Sequence, residues 1–192
     1  MATAVLAIQG AFAEHKARLA ELGETCVELR QASDLRQHFD RLVLPGGEST
    51  TQGKLLAELG MLEPLRERIK EGMPVLATCA GLILLARRLD AHDDRDAPRI
   101  ATLDVLVRRN AYGRQLGSFH AEGRWEDEAV PLTFIRAPRI EATGPGVEPL
   151  VTLNDAPVAV RHRNQIAAAF HPELDDDNRL YEALLAPLKR AY

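Results

Sequence analysis

Two side chains of this 192-residue chain can act as soft nucleophiles, Cys26 and Cys79, and their surroundings differ. Cys79 lies in Ala77-Thr78-Cys79-Ala80-Gly81, directly after the apolar run Val75 to Ala77 and directly before a segment of helical character from Gly81. A thiol on such a strand-to-helix turn projects from the carboxyl edge of a sheet. There the free N–H groups and positive dipole end of the following helix favour a thiolate and steady a developing oxyanion. Cys26 sits within an expected strand, Thr25 to Leu29, with no small-residue turn beside it. It reads as a small buried hydrophobe, the commoner fate of a free cysteine. A base for the thiol is offered by Phe170-His171-Pro172-Glu173, which follows the apolar strand Ile166 to Ala169. Residues two apart in an extended chain share a face, so Glu173 can bond one ring nitrogen of His171 while the other faces the thiol. Pro172 biases His171 toward that conformation. Of the other histidines, His15, His38, His92, His120 and His162, only His120 repeats the spacing, with Glu122, and it makes the weaker rival pair. A third element is Pro45-Gly46-Gly47-Glu48-Ser49-Thr50, whose glycines let backbone approach a ligand and aim amides at negative charge. It lacks the lysine and spacing of a phosphate-binding loop, but beside a thiol turn it supplies a second oxyanion donor. Together these pieces point to nucleophilic acyl chemistry.

The elements that must hold them follow from hydrophobic periodicity. Ala4 to Ile8 is a short, wholly apolar run ending at Gly10, the pattern of a strand buried on both faces. Ala11 to Leu22 carries Phe12, Leu19 and Leu22 on one helical face, and Gly23 stops it. The alternation continues with a strand over Thr25 to Leu29, a short capped helix over Ser33 to Phe39, and a strand over Arg41 to Leu44. A helical stretch over Leu55 to Glu71, broken near Pro64, leads to a strand over Pro74 to Ala77 and a helix over Gly81 to Leu89. Such βα alternation predicts an α/β three-layer sandwich with a mainly parallel central sheet. Beyond a solvated acidic loop, Asp90 to Asp96, strands follow one another without long helices: Thr102 to Val107, Leu132 to Ile135, Val158 to His162 and Ile166 to Phe170. This half reads as more antiparallel, and a last helix spans Arg179 to Ala191, bent by Pro187. No repeat or linker interrupts the chain, so residues 1–192 read as one domain.

Composition excludes several classes. With 24 Lys and Arg against 28 Asp and Glu, the net charge of −4 provides no basic field for nucleic acid. No apolar run approaches the roughly 20 residues of a membrane span, and no basic, apolar leader opens the chain, which predicts a cytoplasmic protein. Two cysteines cannot close a structural zinc site without histidine help.

At this point the sequence resembles the class I (triad) glutamine amidotransferases, whose architecture is flavodoxin-like, and within them the glutaminase subunits of pyridoxal 5′-phosphate synthase. The generic likeness lies in Thr78-Cys79-Ala80-Gly81, Pro45-Gly46-Gly47 and His171-Pro172-Glu173. The narrower likeness lies in Leu6-Ala7-Ile8-Gln9-Gly10-Ala11-Phe12 with Glu14-His15, Leu44 to Thr51, Arg109-Asn110 with Tyr112-Gly113-Arg114-Gln115, and Phe134-Ile135-Arg136-Ala137-Pro138. The resemblance implies Cys79 as nucleophile, His171 as base and Glu173 as its orienter. It implies an oxyanion hole from the backbone of Gly47 and Ala80, and glutamine held by Gly47, Glu48, Ser49, Arg109, Ile135 and Arg136. It also implies L-glutamine as substrate, no metal or organic cofactor, and ammonia passed to a separate synthase subunit in a hetero-oligomer. Pyridoxal phosphate is then the product of the complex. One position departs from the pattern, Ala77 standing where the turn usually opens with glycine. Rival readings are a glutaminase subunit of another amidotransferase, such as that of histidine biosynthesis, a stand-alone thiol hydrolase or γ-glutamyl peptidase, and a non-catalytic module of the same architecture. The combined Arg109 and Phe134 to Pro138 blocks argue against the first, and the intact Cys79, His171 and Glu173 against the last.

Overall fold

The apolar runs become central strands. The computed structural model describes residues 1–90, 97–111 and 117–186. In chain order the elements are β1 (Ala2–Leu6), α1 (Phe12–Glu21), β2 (Thr25–Leu29), β3 (Arg41–Leu44), α2 (Ser49–Glu58), α3 (Leu62–Lys70), β4 (Val75–Thr78) and α4 (Ala80–Leu85). There follow β5 (Ala86–Leu89), β6 (Leu103–Arg108), β7 (Ser118–Trp125), β8 (Glu128–Ile135), β9 (Arg139–Thr143), β10 (Glu148–Leu153), β11 (Ala156–His162), β12 (Gln165–Ala168) and α5 (Arg179–Leu185). Short 3-10 turns occupy Ala32–Arg36 and Pro172–Leu174.

Among the described residues the main sheet has nine strands in the order β2-β1-β3-β4-β12-β11-β10-β7-β8. The five from β2 to β12 run parallel, and from β12 to β8 every pairing is antiparallel. The fold is thus a flavodoxin-like α/β sandwich with a mixed sheet, parallel toward the N-terminus and antiparallel toward the C-terminus. Strands β3, β4 and β12 are buried along their whole length, as strands covered on both faces must be. Helix α1 packs on β1 and β2, α5 packs on β4, and α4, buried at all six positions, packs on β3, β4 and β12. A smaller sheet, β5-β6-β9, lies apart in the pairing. No helix among the described residues is long and apolar enough to cross a membrane.

Several expectations need correction. The stretch Leu55 to Glu71 is two helices, and the break falls at Gly60 (φ +67°) rather than Pro64. Pro64 sits in the first turn of α3, where no intrahelical N–H bond is lost. The expected helix Gly81 to Leu89 ends at Leu85, because residues 86–89 pair in parallel with β6 as β5, tertiary pairing overriding helical propensity. Ser33 to Phe39 is only a 3-10 turn over Ala32–Arg36. Strands β5, β7, β9 and β10 are additional to those expected. Strand β7 escaped notice because its polar face and Gly123 dilute the signal, and β8, whose Pro131 interrupts the apolar pattern, is longer than expected. As an edge strand β8 tolerates that proline. The last helix closes at Leu185, and Pro187 lies outside the described residues, as do residues 91–96 of the acidic loop.

Candidate active site

Four loops that follow β1, β3, β4 and β12 open on one edge of the sheet, at the carboxyl ends of neighbouring strands. The chain crosses from β2 on one side of β1 to β3 on the other, and ligands in open α/β sheets bind at such a switch point. Cys79 caps α4 with φ +47° and ψ −99°, a conformation a non-glycine residue adopts only under constraint. Its N–H donates to the Ala168 carbonyl at 2.8 Å, tying the thiol turn to the end of β12, three residues before His171. Ala77 lies wholly buried inside β4, in register with Leu44 and Ala167, so the departure from glycine falls on a regular strand position. The demand for glycine falls on Gly81 instead, where a Cβ would collide with the Leu44 carbonyl.

His171 is buried, its N–H donates to the Thr133 carbonyl at 2.8 Å, and its Nδ1 stands 2.6 Å from Glu173 Oε1. The alignment is achieved by the 3-10 turn Pro172–Leu174, which corrects the expectation of an extended segment. Nε2 is buried without a well-formed hydrogen bond, yet it interacts electrostatically with the Cys79 thiol. Burial alone would lower the basicity of His171, but the interaction with the neighbouring Cys79 sulfur and the hydrogen bond to Glu173 outweigh it and raise its pKa to about 10. Glu173 feels burial in the opposite sense, and the hydrogen bond to His171 with the neighbouring imidazoles holds it below the usual carboxylate range.

Gly46 lies between the two. A Cβ there would overlap the His171 ring at Cε1, stand 3.0 Å from its Nδ1 and touch Cys79 Cβ at 3.4 Å. At Gly47 a Cβ would collide with the Gln9 side chain. Glu48 caps α2, accepting from the Thr50 and Thr51 N–H groups at 3.1 and 2.7 Å, and its own N–H donates to Gln9 Oε1 at 2.9 Å. Although burial opposes it, the Thr51 hydroxyl, which donates to Oε2 at 2.8 Å, and the Thr51 and Thr50 N–H groups bring the Glu48 pKa down to about 2. Arg109 donates from Nη2 to Glu48 Oε1 at 3.2 Å and to Thr50 Oγ1 at 3.1 Å. Arg136, at φ +44°, donates its N–H to the Gly117 carbonyl at 2.6 Å, and the Cys79 thiol approaches the Ile135 carbonyl at 3.9 Å.

Gly47, Glu48, Ser49, Cys79, Arg109, Ile135, Arg136 and His171 all line one open cleft of about 420 Å³. Ala80 and Glu173 are buried beside it, at the head of α4 and behind His171. The rival His120 does not line this cleft, and its Nδ1 pairs with Thr133 Oγ1 at 2.9 Å. Cys26 is half-buried on β2 opposite Thr3, and burial pushes its thiol pKa up. Tyr112, Gly113, Arg114 and Gln115 lie outside the described residues. Gln9, Gln52 and Thr78 carry no chemical signature in sequence yet hold the glycine loop: Gln52 Nε2 donates to the Gln9 and Pro45 carbonyls, and Thr78 Oγ1 accepts from Gly46 N–H. Polar residues adjoining apolar strands or within helices were the available signal. No group of three His, Cys, Asp or Glu side chains among the described residues is arranged to hold a metal.

A flavodoxin-like sheet with a thiol turn at its carboxyl edge falls in the class of the glutamine amidotransferases. One solved structure, described as a glutamine amidotransferase, superposes with a TM-score of 0.89 at 42% identity, covering 96% of this chain and 97% of the other. Residues 5–188 match the SNO glutamine amidotransferase family, and the chain belongs to that family. A relative from Desulfitobacterium hafniense, pyridoxal 5′-phosphate synthase subunit PdxT, is 58% identical over 96% of this chain and 92% of its own length. A protein of the same name from Streptococcus pneumoniae is 49% identical over 95% of each.

Proposed function

We propose that Cys79, His171 and Glu173 are the catalytic triad of a glutaminase, and that residues 1–192 work as one glutaminase domain. The chain hydrolyses L-glutamine to L-glutamate and ammonia, and the ammonia feeds pyridoxal 5′-phosphate synthesis. The observation that carries the triad is the buried 2.6 Å contact between Glu173 and His171, beside a thiol held at φ +47° on the wall of the cleft. In the first half-reaction the Cys79 thiolate attacks the side-chain amide carbon of glutamine. His171 gives its Nε2 proton to the departing nitrogen, so the C–N bond breaks, ammonia leaves and a γ-glutamyl thioester remains. In the second, His171 takes a proton from water as it attacks the thioester, and the C–S bond breaks to release glutamate and restore the thiolate. Glu173 keeps Nδ1 protonated and its Nε2 facing the thiol.

The oxyanion of each tetrahedral intermediate is assigned to the N–H groups of Gly47 and Ala80, the latter in the first turn of α4 where N–H groups lack intrahelical partners. Losing one such donor costs about 3 kcal/mol of transition-state stabilisation. Glu48, Ser49, Arg109, Ile135 and Arg136 are assigned to holding glutamine, the Arg109 guanidinium suiting the α-carboxylate. The chemistry needs no metal or organic cofactor. The partner we propose is a synthase subunit that accepts the ammonia within a hetero-oligomer, and the proposed compartment is the cytoplasm, where unpaired thiols such as Cys26 and Cys79 stay reduced. Replacing Cys79 by Ser tests the assignment. A folded variant without glutaminase activity is expected, because the hydroxyl is not activated as the thiol is. Retained turnover would remove Cys79 as nucleophile.

A further inference from the structure

Behind the triad, on the side away from the cleft, α1 contributes a histidine that the mechanism above leaves unused. His15 is fully buried, and so is Tyr181 of α5, whose phenol oxygen stands 2.7 Å from His15 Nδ1. The other ring nitrogen, Nε2, faces two oxygens, Thr78 Oγ1 at 3.0 Å and Glu173 Oε2 at 3.4 Å. Glu173 uses Oε1 on His171, while its Oε2 is buried and makes no well-formed hydrogen bond among the described residues, so the 3.4 Å approach of His15 is a polar contact short of one. Thr78 Oγ1 also accepts the Gly46 N–H at 3.1 Å, so the same hydroxyl touches the glycine loop that adjoins His171 and Cys79.

The proton positions follow from these contacts. Burial pushes the Tyr181 phenol pKa up, so it keeps its proton and donates to His15 Nδ1. Burial likewise keeps His15 neutral despite the attraction of Glu173. A neutral imidazole that accepts at Nδ1 carries its proton on Nε2, which therefore donates to Thr78 Oγ1 with Glu173 Oε2 close beside the same N–H. The groups that face His15 are Glu173 and His171 from the segment after β12, Tyr181 from α5, and Glu14 on its own helix. Without that N–H beside it the buried Oε2 would lose a polar neighbour, and the carboxylate would rotate more freely off His171.

Resting on the triad reading, we infer that His15, oriented by Tyr181, is a positioning residue that braces Glu173 from behind and, through Thr78, fixes the Gly46 peptide. It touches neither substrate nor thiol. The brace explains why an imidazole is tolerated at a wholly buried position of α1, where an aliphatic side chain would pack without polar demands.

The test compares His15→Phe, which fills the space without a donor, with His15→Gln, whose amide nitrogen reaches the place of Nε2, and with Tyr181→Phe, which removes only the hydroxyl. Turnover, KM for glutamine and melting temperature are measured for each, with the native chain and Cys79→Ala alongside. His15→Phe is expected to lose about 10- to 100-fold in kcat with little change in KM, the range seen when outer partners of a site are removed. The alkaline limb of its kcat/KM profile should move to lower pH, since a loosely held Glu173 makes His171 a weaker base. His15→Gln should recover most of the loss, and Tyr181→Phe should lose less than His15→Phe. A purely structural His15 would lower the melting temperature while leaving kcat and the alkaline limb in place, and that result overturns the inference. If His15→Phe does not fold, an unchanged kcat and alkaline limb in Tyr181→Phe overturn it equally. Activity surviving in Cys79→Ala would instead overturn the triad itself, so the two failures are distinct.

Discussion

Replacing Gly46 by Ala strikes the site without removing any of its reactive groups. The new methyl would overlap the His171 ring at Cε1, with Nδ1 only 3.0 Å away and Cys79 Cβ in ordinary contact at 3.4 Å. The thiol side tolerates the methyl and the ring side does not, so the ring must retreat by about 1 Å to restore normal contact, or the loop must give by as much. The loop is held by the Gly46 N–H to Thr78 and by the Gly46 carbonyl, which accepts from Ala11 N–H at 3.0 Å, and the ring moves first. A displacement of that size costs roughly 100-fold in rate, or about 2.7 kcal/mol of barrier. Gly46 is not among the positive-φ residues, so the backbone accepts alanine and the fold should survive. Ammonia release at saturating glutamine would be compared with the melting temperature of the same preparation. A kcat within threefold of native in a folded variant would refute the reasoning, because the imidazole would not then depend on the position this structure gives it.

Two further outcomes are expected. His171 titrates near 10 in the folded chain against an ordinary 6.5, so the stability it contributes is complete below about pH 6.5 and is lost as pH rises through about 10. The native chain should therefore lose more melting temperature over that interval than His171→Asn, and parallel curves by scanning calorimetry would contradict the raised basicity. Arg109→Lys keeps a charge but loses the paired donors, so KM for glutamine should rise about tenfold with kcat nearly kept, while equal affinities of Cys79→Ala with and without the substitution, measured calorimetrically, would remove Arg109 from the substrate site.

The parts of this fold written as uninterrupted apolar runs were legible in sequence, because a strand buried on both faces has no polar alternation to confuse it. Leu42 to Leu44 and Val75 to Ala77 are such runs, and they lie in β3 and β4, both buried along their whole length. Segments whose structure depends on a remote partner were not. Residues 86–89 look helical locally and become a strand only by pairing with β6, and β10 takes shape between β11 and β7. The candidate site was legible where a residue type is chemically unusual, as with Cys79 in its small-residue turn or Glu173 two places after His171. Geometry that arises from folding left no local mark. The collision that demands glycine at position 81 of α4 comes from Leu44 on β3, and the pairing of Glu48 with Arg109 joins residues far apart in sequence. Buried polar partners such as Thr78 and Gln52 read as ordinary residues until their contacts are seen.

The central claim, that Cys79 is the nucleophile that reacts with glutamine in this cleft, is tested most directly by peptide mapping after treatment with a chloroketone analogue of glutamine. The account predicts one label per chain, on Cys79, slowed by added glutamine and abolished in His171→Asn, with Cys26 unmodified on its half-buried strand. Label on Cys26 in place of Cys79, or labelling of Cys79 that glutamine does not slow, would contradict it.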